Sequence, residues 1–233
     1  MVKSMELSKR LQTIADMVSE GNRLVDIGTD HGYIPIYLIQ KNRIPSALAM
    51  DVGKGPLERA KAHIQAYCLE EKAVCRLSDG FENYQDGEAD TAVIAGMGGD
   101  LMEKILSGGR EKLPKELILQ PQSEWFKVRR FLKENGYIIV REEMLIEDEK
   151  YYVAMKAKKG EGASFGAVEE AYGPYLLKEK NPVLKEYLNG TIASYENIME
   201  QLEKVETPSA KKRKLEIQAQ FVQLKGALAY YER

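Results

Sequence analysis

The chain has 233 residues, 44% of them apolar and 30% charged, with a formal net charge of −2, two cysteines and two histidines. That size holds one domain, or one with an appendage, around a real core, and the near-neutral charge leaves nucleic acid open as a partner because binding needs only a local basic face. Cys68 and Cys75 are too few for a disulfide scaffold or structural zinc, His31 and His63 argue against a protein-only metal site, and no run is apolar enough to span a membrane or serve as a signal peptide, so a cytoplasmic protein without metal is expected.

Leu7, Leu11, Ile14, Ala15 and Val18 share one helical stripe, which Gly21-Asn22 ends. Strands and helices then alternate: a strand over Arg23–Ile27, a helix over Tyr33–Gln40 with Pro35 in its first turn, a strand ending at Asp51, and a helix from Gly55-Pro56. Val74–Leu77 reads as the third strand, Thr91–Ala95 as a fourth buried on both faces, Leu101–Leu106 as a short helix, and Glu116–Gln120 as the fifth strand. A helix over Trp125–Glu134 stops at Asn135-Gly136. Tyr137–Glu142 and Tyr152–Lys158 read as an antiparallel pair joined by a short acidic turn, Glu147–Tyr151. The sum is a doubly wound, seven-stranded α/β sheet of Rossmann type.

Gly160, Gly162 and Gly166 mark a linker, which divides the chain into a ligand-binding domain over residues 1–160 and a helical domain over 161–233. Leu188, Ile192, Tyr195, Met199 and Leu202, then Ile217, Phe221, Leu224, Leu228 and Tyr231, step by threes and fours. Thr207-Pro208 between them supplies a cap and a first-turn proline, so a two-helix antiparallel coiled-coil hairpin is expected.

The chemistry-bearing residues gather at the carboxyl ends of the strands, where open α/β sheets bind ligands. Asp26, Gly28, Asp30, His31 and Gly32 follow the first strand, Asp51 and Val52 the second, and Asp79-Gly80 the third. Ala95-Gly96-Met97-Gly98-Gly99 follows the fourth and Gln120-Pro121-Gln122 the fifth. Asp51 is placed to accept both hydroxyls of a ribose, and Asp79 to accept from an adenine amino group. The dinucleotide pattern G-x-G-x-x-G is broken, because Asp30 replaces its second glycine and Tyr33 its third. A carboxylate there repels a pyrophosphate and attracts a cation, which favours S-adenosylmethionine, a sulfonium without phosphate. The turn at Gly96 lacks the amine-accepting side chain expected of an enzyme that methylates an exocyclic amine, and its glycines either open space for a planar base or merely permit a tight turn.

Each residue has a plainer reading beside the functional one. Asp51 can be a solvated strand end, and His31 a structural hydrogen bonder. Tyr33, Trp125, Phe126 and Tyr151 can stack on a flipped base or simply pack in the core. Lys127, Arg129, Arg130 and Lys133, and likewise Lys211, Lys212, Arg213 and Lys214, form either a phosphate-binding face or a solvated helix face.

In Leu7–Leu11, Asp26–Tyr33, Gly55-Pro56-Leu57, Asp79-Gly80, Ala95–Gly99, Leu119–Gln122, Glu147-Asp148 and Lys150-Tyr151, the chain resembles the bacterial tRNA (adenine-N1)-methyltransferases of the TrmK family. The resemblance implies a class I methyltransferase fold, S-adenosylmethionine as methyl donor, and adenine 22 of the tRNA D-arm as substrate. Reading and resemblance together make Asp30, His31, Met97 and Tyr151 the catalytic candidates. Asp26, Gly28, Asp30, His31, Gly32, Asp51, Val52, Asp79, Gly80, Ala95, Gly96 and Met97 are the cofactor candidates. Arg10, Gln120, Gln122 and the cations at 211–214 are the tRNA candidates, in an enzyme expected to be monomeric. The alternatives are a class I methyltransferase acting on another RNA, a protein or a small molecule, an NAD-dependent oxidoreductase, which the broken glycine pattern opposes, and a non-catalytic scaffold.

Overall fold

The structure, a computed structural model, describes residues 5–161 and 165–232, so Gly162 of the linker lies outside the described residues. The chain divides into two compact units, Met1–Ala163 and Ser164–Arg233.

In the first unit, α1 (Lys9–Met17) is capped by Ser8, whose hydroxyl accepts from the Leu11 N–H. Then come β1 (Leu24–Ile27), α2 (Tyr33–Gln40), β2 (Ala47–Asp51), α3 (Lys54–Ala66), β3 (Ala73–Leu77) and β4 (Thr91–Met97). They are followed by α4 (Gly99–Gly108), a 3-10 turn at Arg110–Lys112, β5 (Glu116–Pro121), α5 (Trp125–Glu134), β6 (Tyr137–Glu147) and β7 (Lys150–Lys159). The seven strands lie in the order β3-β2-β1-β4-β5-β7-β6. All neighbours are parallel except the pairs of β7 with β5 and β6; the β6–β7 pair is the antiparallel hairpin expected from the sequence, and the insertion of β7 beside β5 is a further finding.

The order reverses between β1 and β4, and that is where a ligand crevice opens. One core layer joins Ile14, Ala15 and Met17 of α1 and Ile36, Leu38 and Ile39 of α2 to Leu24, Val93 and Ile118 of the sheet. Residues alternate across a strand, so Ile94, Leu117 and Leu119 face the opposite layer. There α4 and α5 bury Met102, Leu106, Val128 and Leu132.

Two expectations are corrected here. The sixth strand does not stop at Glu142 but runs to Glu147, and Tyr151 lies inside β7 rather than in a loop. The turn is only Asp148-Glu149, both at positive φ (49° and 60°), the twist-matched geometry of a two-residue hairpin, so the acidic run marked the bend but not its length. Arg129 of α5 is not part of a phosphate-binding face: its side chain is 0% exposed and its Nε donates to Glu142 Oε1 at 2.8 Å. Lys127 is paired with Asp100, and the Arg130 guanidinium lies over the Phe126 ring.

The second unit holds α6 (Ala167–Tyr172), α7 (Pro174–Lys178), α8 (Pro182–Glu203) and α9 (Pro208–Glu232). Asn181 caps α8 and Thr207 caps α9, each accepting from backbone N–H groups of the first turn. The seam residues of α8 and α9 are buried or half-buried against each other, with Tyr195 and Phe221 edge to face at 6.1 Å. The hairpin is not self-contained, however. Both α6 and α7 also pack on α9, with Tyr230 Oη donating to Glu169 Oε1 and Val168 beside Gly226.

Candidate active site

At the switch between β1 and β4 lies a cavity of about 350 Å³. The β1 turn contributes Asp26, Gly28, Asp30, His31 and Gly32 to its wall, β4 contributes Ala95 and Gly96, and Arg10 and Gln122 come from α1 and the segment after β5. Chain connectivity explains why these meet: parallel strands all present their carboxyl ends to one edge.

The β1 turn is shaped by its glycines. Gly28 has φ +77°, and a Cβ there would meet Met97 Cε at 2.1 Å. Met97 therefore roofs this turn, although it is not part of the cavity wall. Gly28 and Thr29 N–H groups donate to Met50 O at 2.8 and 3.0 Å, tying the turn to β2. Gly96, at φ +79°, faces the cavity, whereas Gly99 is there for packing, since a Cβ would lie 2.6 Å from the Ser123 carbonyl oxygen. Gly99 thus fits the reading of a tight turn, while Gly96 leaves open space at the cavity wall.

Asp26 is the buried acid of the cavity, 7% exposed. Burial pushes its carboxyl up to about 6; the nearby Thr29 hydroxyl pulls against this and the Asp51 charge adds to it. Thr29 Oγ1 itself finds no partner at hydrogen-bonding geometry, so a buried hydroxyl stands beside a buried carboxyl group. Because the folded-state value lies above the ordinary one of 3.8, protonated Asp26 favours the fold. That contribution is complete below about pH 4 and is lost as pH rises through about 6. Asp26→Asn should therefore be more stable than wild type above pH 6, by at most about 3 kcal/mol, and equal to it at pH 4. Thermal unfolding across that range is the measurement, and equal melting temperatures throughout would contradict it.

Asp30 does not stand alone as a charge. Arg59 of α3 pairs with it (Nε to Oδ1 3.0 Å), and His31 Nε2 lies 3.4 Å from its other oxygen. The His31 ring stacks on Tyr33 and His63 at 4.9 and 5.3 Å, and the His63 Nδ1–H donates to the His31 carbonyl. His31 Nδ1 is buried and without a partner. Arg59 and His63 were not legible as neighbours of this turn, because helix-to-turn docking leaves no local signal. Thr29 and Leu11 of the cavity wall were likewise missed.

Asp51, Val52, Asp79, Gly80, Gln120 and Tyr151 are not part of the cavity wall. Asp51 ends β2 beside the β1 turn, with Oδ1 accepting from the Gly53 N–H at 2.6 Å, and Val52 is 67% exposed. Asp79 is exposed past β3, and Gly80 is buried against Ile105. Gln120 is buried and its Oε1 accepts from Arg10 Nη1 at 2.9 Å. The Arg10 guanidinium lies over the Tyr152 ring, and its backbone N–H donates to Glu147 Oε1, which ties α1 to the end of β6. Lys211, Lys212 and Arg213 are exposed in the second unit, with Lys214 half-buried and Arg213 paired with Glu216 at 3.1 Å. Among the described residues no cluster of His, Cys, Asp and Glu is arranged to hold a metal, and no helix is long and apolar enough to cross a membrane.

Comparison with known proteins identifies the family. The family model described as tRNA (adenine(22)-N(1))-methyltransferase, TrmK, matches residues 24–226. The tRNA (adenine(22)-N(1))-methyltransferase of Bacillus subtilis is 34% identical over 221 residues, covering 92% of this chain and 93% of the relative. The crystal structure of the B. subtilis m1A22 tRNA methyltransferase TrmK superposes with a TM-score of 0.87 at 33% identity, covering 96% and 99% of the two chains. Sp1610 of Streptococcus pneumoniae, solved in complex with S-adenosyl-L-methionine, superposes with a TM-score of 0.84 at 32% identity, covering 96% and 100%. With a glycine-shaped acidic cavity at the sheet's switch point and matches along nearly its whole length, the chain belongs to the TrmK family of tRNA (adenine(22)-N(1))-methyltransferases.

Proposed function

We propose that the cavity holds S-adenosylmethionine and that the chain methylates N1 of an adenine in tRNA, at position 22 as the family is described. The observation that carries this reading is the glycine-shaped cavity with the buried Asp26 in its wall, in a chain that matches this family over residues 24–226. The residues fit the cofactor. A carboxylate held near 6 by burial gains from a cationic ligand, and the positive φ of Gly28 lets the backbone approach without a side chain in the way.

When bound, S-adenosylmethionine supplies an electrophilic methyl group. In this reading Asp26 balances positive charge in the cavity, and the cofactor extends past the cavity along the strand ends to Asp51, at the end of β2, which accepts from its ribose hydroxyls. Gly28 and Gly32 shape the turn around the ligand. Arg10, held by Gln120, and Gln122 stand at the β4–β5 side, where a base unpaired from its helix would enter. N1 of adenine has an in-plane lone pair and needs no proton removed, so alignment and exclusion of water suffice, and Asp30 with His31 serves to shape and charge the entrance rather than as an obligatory base. The cations at 211–214, of which Lys211, Lys212 and Arg213 are exposed, supply phosphate contacts to the tRNA. This reading places the enzyme in the cytoplasm.

Asp51→Ala should weaken S-adenosylmethionine binding about tenfold or more, the loss of charge-assisted hydrogen bonds of roughly 1.5–3 kcal/mol. Calorimetric titration giving equal affinities would remove Asp51 from the site. For the reaction itself, incubation with S-adenosylmethionine and unmodified tRNA, followed by mass spectrometry of the nucleosides, should yield 1-methyladenosine. N6-methyladenosine as the direct product, under conditions that prevent rearrangement of the N1 isomer, would refute the reading of the Gly96 turn.

A further inference from the structure

The space over Gly96 is built for more than cofactor binding. A Cβ at Gly96 would lie 3.9 Å from Arg10 Nη1 and 4.0 Å from Gln122 Nε2, so the missing side chain leaves a slot bordered by a guanidinium and a carboxamide. The positive φ of this residue keeps other side chains out.

The two borders differ in freedom and in chemistry. Arg10 is fixed by Gln120 Oε1, by the Tyr152 ring beneath it and by Glu147 at its backbone. As a guanidinium it only donates. Gln122 is exposed at the cavity, while its main chain is pinned by its N–H donating to Met97 O at 2.8 Å. Its carboxamide is uncharged and offers an acceptor oxygen. Of the carboxylates in the cavity wall, Asp26 is buried deep beside Thr29 and Asp30 is engaged by Arg59, so neither matches Gln122 as an acceptor at the slot.

An adenine whose N1 is to be methylated presents its 6-amino group on the adjacent ring carbon. That amine is a donor, and an uncharged acceptor can bind it while leaving both of its protons in place. We propose that Gln122 reads this amino group: its Oε1 accepts from the amine while the base lies over Gly96, and this aligns N1 in the plane of transfer. The proposal rests on the tRNA adenine-N1 reading and names the group within it that binds the base. The carboxamide can rotate to face the O6 of guanine, so Gln122 orients the base, and guanine is rejected chiefly because its N1 carries a proton.

The test is a cycle between one side chain and one substrate group. Gln122→Met keeps the length and removes the acceptor. Wild type and variant are compared on tRNA carrying adenine at the target and on tRNA carrying purine riboside there, which lacks only the amino group. On adenine tRNA, kcat/KM of Gln122→Met should fall about 10- to 100-fold, with S-adenosylmethionine affinity and melting temperature unchanged. On purine riboside tRNA, wild type and variant should be equal. An equal loss on both substrates, or no loss on adenine tRNA, would overturn the assignment of Gln122. If wild type forms no 1-methyladenosine in tRNA, the functional reading itself fails, and that result is visible before any variant is compared.

Discussion

Removal of residues 164–233 is expected to leave S-adenosylmethionine affinity unchanged and to reduce tRNA methylation by roughly 100-fold or more, equivalent to about 2.8 kcal/mol of lost substrate binding. Every residue of the cavity wall belongs to the first unit, which has its own sheet and core. The second unit carries the run Lys211-Lys212-Arg213-Lys214, in which Arg213 pairs with Glu216, an exposed ion pair weak enough to exchange for a phosphate. The cut belongs at 163/164 rather than before Asn181, because α6 and α7 pack on α9 and would lose their partner. Calorimetry with the cofactor and methyl incorporation into tRNA are the two readouts. Replacing Lys211, Lys212 and Lys214 by Glu in the full chain should also lower the slope of log affinity against log salt by about two units. A truncated protein that methylates tRNA at the full rate would assign the helical unit to stability or association instead.

Glu142→Ala should destabilise the first unit by about 3–5 kcal/mol, lowering its melting temperature by roughly 10 °C, because it leaves the Arg129 guanidinium buried without its carboxylate. Both side chains are 0% exposed, so neither charge can relax toward water. Arg129→Met combined with Glu142→Leu should recover most of that loss, since removing both charges also removes both desolvation costs. Thermal unfolding followed by circular dichroism measures each. An unchanged transition for Glu142→Ala would mean that the pair contributes nothing to the fold.

Arg129 also shows where sequence reasoning stops. In α5 it stands among Lys127, Arg130 and Lys133; helical spacing sets it on the stripe of Trp125, Val128 and Leu132, but no local feature supplies the partner that lets a charge turn inward. The difference is made by Glu142, which β6 places opposite it. The β6–β7 hairpin carries the same lesson. Glu142-Glu143 reads as the end of a strand because charges seldom sit in one, yet Glu142 is satisfied by Arg129 and the strand continues to Glu147. At the site, Asp26, Gly28, Asp30, His31, Gly32, Ala95 and Gly96 were all legible and all meet in one cavity. Asp51, Val52 and Asp79 were legible by the same rule and lie at the ends of neighbouring strands, outside that cavity.

The alternation of apolar strands and helices, the glycine-bearing turn after β1 and the broken dinucleotide pattern are local facts. They follow from periodicity and from backbone sterics, which need no distant partner, and they sufficed for a seven-stranded sheet with its ligand edge. Which charges pair and which remain available is a different kind of fact. Arg59 neutralises Asp30, Gln120 locks Arg10, Glu142 captures Arg129, and α6 and α7 complete the helical unit. Each of these depends on groups far apart in the chain, and an ionised or polar side chain adopts whichever environment compensates its lost hydration. Only tertiary packing decides where that compensation is found.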